Sequence, residues 1–482
     1  MISNFPIFST TTGWLILAVY AVVVMALTFH FVKGYAANKT SFLLARREIG
    51  GVSGAFSIAA SWTWAPAMFI SAQLAYLNGI AGLFWFTIGN FLTLIIFAFF
   101  ARRLRENQPE GFTLSGYVRE KFSPRVQKLF LAESSILAVC AVAINLLAGS
   151  KAIETITGMN YHVASFVLLA LALTYALRGG LKASVITEIF KISVLWLGIA
   201  VLVPWAWTAG GGLDVVAAGL GGKTGQGASL VNDFALGVFM GMGLSTVLGH
   251  LGAPWADNSF YQRAFAIRQN SIIPAFVAGA LLFLFIPLMM GSLGFLAAGM
   301  KLDIPAAQVG MTAIIAAGSV LPSWALILMI FMVFAGLVSV IDSHLSSASS
   351  IAGHDVKSLS GNDSEQGSVT WARGGMLAAA AAGFAIANWP GMSLLTIFLF
   401  FAVLRATVWW PMMLHLWRPG LINSTGAFWG ILIAFLIGQP VYHWGLSFGG
   451  GKEMVMAGTL FAVFGSAVLT VLISRLTRSS VR

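Results

Sequence analysis

The chain has 482 residues, 58% of them hydrophobic and 9% charged, where a soluble globular chain carries about 25% charged residues; its mean hydropathy is +0.88. This excludes an ordinary soluble domain and identifies a polytopic membrane protein. The net charge of +11 is accounted for by Lys and Arg in cytoplasmic loops, so no nucleic-acid partner is expected, and the single cysteine, Cys140, excludes an intrachain disulfide or a cysteine-rich metal site.

Apolar stretches long enough to span a bilayer recur to the C-terminus and predict about thirteen helices. Helix one is placed at 12–33, two at 50–78, three at 80–102, four at 125–150 and five at 161–178. Six follows at 183–207, seven at 234–250, eight at 273–299, nine at 322–350, ten at 372–388, eleven at 394–416, twelve at 425–446 and thirteen at 454–475. A short helix is expected near 305–318. Helix one is too long for a signal-peptide core and lacks a small-residue cleavage site after it, so it is expected to be retained. The whole chain, 1–482, is read as one transmembrane domain.

Positive charge falls on one side of this arrangement. Lys33, Lys39, Arg46 and Arg47 follow helix one, a run from Arg102 to Lys128 follows helix three, and Arg178, Lys182, Arg263, Arg268, Arg418, Arg475, Arg478 and Arg482 continue the series. The opposite loops, 208–232 and 300–321, carry Lys223 and Lys301. The positive-inside rule then predicts an outside N-terminus and a cytoplasmic C-terminus in a plasma membrane, the inner membrane of a bacterium.

Two helices look interrupted. Helix two contains Ser61-Trp62-Thr63-Trp64-Ala65-Pro66, where the proline removes a backbone donor. Helix seven contains Gly237, Gly241 and Gly243, then Ser245-Thr246. Unwound backbone at membrane depth is tolerated only where protein or a cavity surrounds it. Interrupted helices that each open a set of five point to inverted repeats, at about 50–207 and 234–416, followed by helices twelve and thirteen at 425–475. A pair of ordinary kinks is the plainer alternative.

Near the end of helix nine the chain reads Ser339-Val340-Ile341-Asp342-Ser343-His344-Leu345-Ser346-Ser347. Ser339, Asp342, Ser343 and Ser346 share one helical face. A charge at the bilayer centre costs ~2.5–3.5 kcal/mol on insertion scales, so such residues usually line a polar pathway. Hydroxyl and carboxylate oxygens on one face suit a small hard cation or a proton. A serine-rich helix end reaching cytoplasmic water is the alternative.

Four stretches resemble the sodium/solute symporters, a family that includes proline, sialic acid, sugar and urea carriers. They are Arg178-Gly179-Gly180-Leu181-Lys182-Ala183 with Thr187-Glu188, Asp257 with Phe260-Tyr261-Gln262-Arg263-Ala264-Phe265-Ala266, Ser339 to Asp355, and Ser57 to Tyr76. The resemblance implies an all-α fold like that of leucine-transporter-like carriers, with inverted five-helix repeats and a cation site between helices two and nine. It implies backbone ligands at Ala60, Thr63 and Gly336 and a hydroxyl at Ser339. A second hydroxyl expected beside it is replaced by Val340. A deeper sodium site of some members matches Ser339, Asp342, Ser343 and Glu188, with two carboxylates in place of a serine and an aspartate. The coupling ion is therefore Na+ or H+, with no other cofactor. A salt bridge from Lys191 to either acid, making the cluster structural, is the competing reading.

The resemblance places substrate against the break in helix two, at Trp62, Trp64, Ala65 and Ala67, with Trp85 and Asn145 nearby, and the Trp-Thr-Trp-Ala run looks most like the urea-carrier branch. Indoles with few polar neighbours suit a small flat solute, urea-like first, with amines, amino acids or short acids as other possibilities. Glu133 is expected to pair with Arg405, or to bind a cationic substrate group. His344 is expected to be hydrogen-bonded, with a proton relay as the alternative. Asp257 and Arg263 are expected in a cytoplasmic loop as a gate or helix-end brace, and 357–367 as a polar linker.

No phosphate-binding loop, Gly-x-Ser-x-Gly or His-Glu-x-x-His run occurs, so neither ATP-driven transport nor an enzyme is expected. The expected function is cation-coupled symport of a small polar solute by alternating access. An uncoupled facilitator, or a solute sensor needing a separate partner because the chain reaches Arg482 without a kinase region, are the alternatives. The partners expected are the solute, the coupling cation and the bilayer; the sequence assigns no oligomeric state.

Overall fold

The computed structural model describes residues 6–31, 38–361 and 367–479; Lys33, Arg482 and most of the 357–367 linker's tip lie outside the described residues. Every one of the expected spans falls in helix, and the short segment near 305–318 is helical as Ala306–Met311 and Thr312–Val320. Among the described residues 10 helices are long and apolar enough to cross a membrane. The count is lower than the expected one for a structural reason. Helix one (Thr10–Phe31) is counted among the shorter apolar helices, over its described stretch Thr10–Ala26. Helices two and eleven are broken into shorter pieces.

Helix two runs over Gly51–Trp62, stops at Thr63, and restarts at Pro66 as a π turn, Pro66–Ile70. The break follows from the proline, which supplies no N–H to the preceding turn. The chain then passes through Gly79, at φ 63 and ψ −150, into helix three, which ends at Asn107. A Cβ at Gly79 would sit 2.5 Å from the Leu220 carbonyl, so the loop 219–228 closes directly over this corner. Gly180, at φ 54, makes the matching corner between helices five and six, with its Cβ position 2.2 Å from the Phe42 carbonyl.

Helix seven is not unwound. It is helical over Asp233–Ala256, with Gly241 and Gly243 inside a π turn, Phe239–Gly243. Glycine weakens a helix without removing its donors, and here Gly243 instead makes room for Trp85, whose Cγ lies 2.9 Å from the Cβ position. The second interruption is in helix eleven, which ends at Leu404 and resumes over Trp409–Trp417.

In helix nine, Ser323–Ser350, everything from Met332 to Ser350 is buried, and the helix packs along helices four and six. Its serines therefore do not reach cytoplasmic water. After helix seven the chain forms a short helix, Asn258–Ala266, buried along its whole length. A backbone bridge pins this helix beside the start of helix two: Ile49 N–H donates to Ala266 O (3.2 Å) and Arg268 N–H to Ile49 O (3.0 Å).

Candidate functional site

Helices two, six and nine and the short helix after seven converge on four ionic side chains, none with any side-chain exposure. Lys191 Nζ stands 2.5 Å from Asp342 Oδ2, and Arg263 Nη2 stands 2.5 Å from Glu188 Oε1. Hydroxyls close the remaining valences. Ser184 Oγ donates to Glu188 Oε1 at 2.8 Å and lies 3.2 Å from Asp342 Oδ1, so the two acids are bridged through one serine and do not touch directly. Ser57 and Ser343 also donate to Glu188. Arg263 Nε donates to Ser57 Oγ (2.9 Å), Nη1 to Ser259 O (3.0 Å) and Nη2 to Ser343 Oγ (3.0 Å). Thr187 Oγ1 lies 3.4 Å from Asp342.

Helical spacing explains half of this cluster. Ser184, Glu188 and Lys191 share a face of helix six, and Ser339 and Asp342–Ser343 share one of helix nine. Arg263 is the correction. It does not sit in an open cytoplasmic loop but is folded inward by the buried helix after helix seven, as the partner of Glu188. Asp257 does brace a helix end, accepting from Ser259 N–H at 2.8 Å, and its other oxygen holds His344 Nε2 at 3.2 Å. His344 is hydrogen-bonded as expected, with Nδ1 3.0 Å from Val340 O.

The shallower set is built differently. Thr63 N–H bonds Ala59 O and Ala60 O, and Thr63 Oγ1 donates to Ala59 O at 2.7 Å. Gly336 lets Met68 approach, its Cβ position being 2.9 Å from the Met68 methyl. Ser339 Oγ is buried without a hydrogen-bond partner, while its carbonyl lies 2.7 Å from Ser343 Oγ. Val340 offers no side-chain ligand here.

Beside this cluster, the break in helix two opens into a small cavity of about 20 Å³, lined by Trp62, Trp64, Pro66 and Ala67. Phe86 and Asn90 of helix three, His250 of helix seven, and Phe398, Phe401 and Arg405 of helix eleven complete the wall. The space holds about one water. Trp62 Nε1 donates to Asn90 O (3.1 Å) and Trp64 Nε1 to Ser61 O (2.7 Å), so both indoles are fixed by their polar tips. Trp64 also meets the His344 ring edge-on at 4.9 Å, and His344 in turn holds Asp257.

A model of the family "Sodium:solute symporter family" matches residues 42–434. The chain belongs to this family. Among curated relatives it is 27% identical over 329 residues to "Probable urea active transporter 1" of Schizosaccharomyces pombe, covering 63% of this chain and 49% of that protein. It is 24% identical over 326 residues to "Urea-proton symporter DUR3" of Oryza sativa subsp. japonica, covering 62% and 45%. The chain thus spans about half the length of these relatives. Among solved structures, a Na+-coupled sialic acid symporter in its substrate-bound outward-open state superposes with a TM-score of 0.79 at 15% identity, over 96% of this chain and 98% of that one. Mhp1, a nucleobase-cation-symport-1 family transporter in a closed conformation, gives 0.60 at 14% identity, over 91% and 95%. These likenesses fix the fold as all-α and leucine-transporter-like.

Within this family member, the residues expected to touch substrate divide. Trp62, Trp64 and Ala67 line the cavity. Ala65 and Asn145 do not: Asn145 Oδ1 accepts from Ala65 N–H at 2.9 Å, so the pair holds the restart of helix two. Trp85 packs away from the cavity against Phe239, the rings tilted with centroids 4.7 Å apart; the neighbouring Phe86 takes the lining position. Glu133 does not pair with Arg405. Glu133 Oε1 and Arg405 Nε and Nη2 all lack hydrogen-bond partners. His250 and Asn90 went unrecognised in the sequence because each is a lone polar residue in an apolar helix, a pattern that more often marks a satisfied core group.

Proposed function

We propose that this protein is a proton-coupled symporter of a small planar solute, urea first, working by alternating access in the bacterial inner membrane with its N-terminus outside and C-terminus in the cytoplasm. The solute binds at the break in helix two, and repeats at about 50–207 and 234–416 rock around it. The observation that carries the choice of ion is the pairing of both expected cation-site acids with internal cations, Asp342 with Lys191 and Glu188 with Arg263, all without side-chain exposure. The four charges sum to zero. A sodium ion in this pocket must displace a bound ammonium or guanidinium, whereas a proton needs only to add to a carboxylate. The similarity to the rice relative, a urea-proton symporter, supports the same direction.

The buried, unpartnered Ser339 Oγ favours a second reading, sodium at Ala60, Thr63, Gly336 and Ser339. Radiolabelled urea uptake into proteoliposomes, under a proton gradient and a sodium gradient imposed separately, decides between them. The expected result is accumulation driven by the proton gradient and unchanged by Ser339→Ala. Accumulation driven by sodium and abolished by Ser339→Ala would replace the proton reading.

A further inference from the structure

Arg405 sits at the break in helix eleven, 2% exposed and on the wall of the cavity. No carboxylate lies within 4.0 Å of it among the described residues; its electrostatic neighbour Asp257 is engaged by His344 and by the Ser259 N–H. Nε and Nη2 have no hydrogen-bond partner. Two features make the buried charge tolerable without using those donors. The guanidinium lies 4.9 Å from the centre of the Phe401 ring, a cation–π contact. Arg405 is also the C-cap residue of Leu394–Leu404, its backbone N–H donating to Phe401 O, at the helix end where the dipole favours a cation. The Nε and Nη2 donors remain unsatisfied, and buried donors of that kind are costly unless something accepts from them.

Without Arg405 the box formed by Trp62, Trp64, Phe86 and Phe398 would suit an ammonium ion held over aromatic faces. A guanidinium in the same wall reverses that preference. Its fork of donors matches a planar oxygen pair, and the aromatic rings accommodate the apolar remainder. We propose that Arg405 is the specificity-determining residue of this cavity, receiving the oxygen of the solute, and that the cavity, once widened beyond the one-water space it has here, takes small carboxylates of about acetate size alongside urea-like carbonyl compounds while excluding cationic solutes. This rests on the reading that the cavity is where the transported solute binds. Neutral urea leaves the charge of Arg405 uncompensated. A carboxylate neutralises it, and entering with one proton it crosses without net charge movement.

The test uses the full chain. Tryptophan fluorescence of the purified protein, to which Trp62 and Trp64 contribute from the wall, is titrated with sodium acetate against sodium gluconate at constant ionic strength. Counterflow of radiolabelled acetate and urea in proteoliposomes is run beside it, with choline as competitor. Acetate is expected to give a saturable signal and to compete with urea, and choline to do neither. Arg405→Gln is expected to weaken acetate roughly ten- to hundredfold, the range of a lost charge-assisted hydrogen bond. Arg405→Lys is expected to keep a reduced response, as a point charge lacking the fork. An acetate titration no different from gluconate, an Arg405→Gln protein responding as the wild type does, or choline competing as well as acetate each overturns the proposal. If Arg405→Gln does not fold, the wild-type titration and Arg405→Lys decide. Urea flux with no acetate binding defeats this inference and leaves the cavity reading standing. Acetate binding dependent on Arg405, with no flux of either solute under any gradient, defeats the transport reading alone.

Discussion

Lys191 and Asp342 each need the other more than the fold needs either. Both are without side-chain exposure, 2.5 Å apart. Removing one partner of a buried pair strands the other charge and costs about 3–5 kcal/mol, while replacing both by apolar groups of similar volume is often neutral. Lys191→Met is therefore expected to lower the stability of the detergent-solubilised protein by about that amount, read from unfolding curves. Lys191→Met with Asp342→Leu is expected to recover most of it and still fail to accumulate urea. A double variant that transports normally would make the pair a packing feature with no part in coupling. The helix-nine half of this cluster was legible, because an acid between serines in a membrane helix has no cheap alternative to a polar pocket. Arg263 was not, because its sequence neighbours read as a loop and its inward turn depends on a tertiary bridge between Ile49 and residues 266–268.

Breaks in helices show the same division between local and distant causes. The interruption of helix two is written in Pro66 and could be placed within a residue or two. That of helix eleven could not, since Arg405-Ala406-Thr407-Val408 contains neither glycine nor proline. It is held by Thr407 Oγ1 donating to Leu404 O at 2.9 Å, and by Gly252 of helix seven, whose Cβ position lies 2.9 Å from the Ala406 Cα. Conversely, the glycines of helix seven suggested a break that the structure replaces with a π turn. At the helix-two break, Asn145 is the distant support: it accepts from Ala65 N–H at 2.9 Å and donates to Ala141 O at 2.7 Å. Asn145→Leu leaves the Ala65 N–H buried and unpaired, which costs about 1–3 kcal/mol. A melting temperature lowered accordingly, together with weaker urea binding despite an intact cavity wall, is the expected outcome. Weaker binding with unchanged stability would instead assign Asn145 a direct contact with solute.

At the scale of the molecule, the cavity's volume of about 20 Å³ leaves room for about one water, and Ala67 on its wall is 3% exposed. A solute of four heavy atoms must enter through a different arrangement of the same helices, so access has to alternate. The chain suits a direct test, because its single cysteine, Cys140, is buried and Cys140→Ala leaves a background free of thiols. In that background Val231→Cys, at a position 95% exposed in the loop before helix seven, is expected to react with an impermeant maleimide in intact cells. Glu120→Cys, at an exposed position in the short helix Leu114–Lys121 before helix four, is expected to react only after permeabilisation. Ala67→Cys should react far more slowly than Val231→Cys, and its rate should change when urea and a proton gradient are applied together, because the ion acts only by favouring a state that also binds solute. Reaction of Glu120→Cys in intact cells would invert the proposed orientation. An Ala67→Cys rate indifferent to solute and gradient would mean that the helix-two break does not open during turnover, and would move the solute pathway elsewhere in the fold.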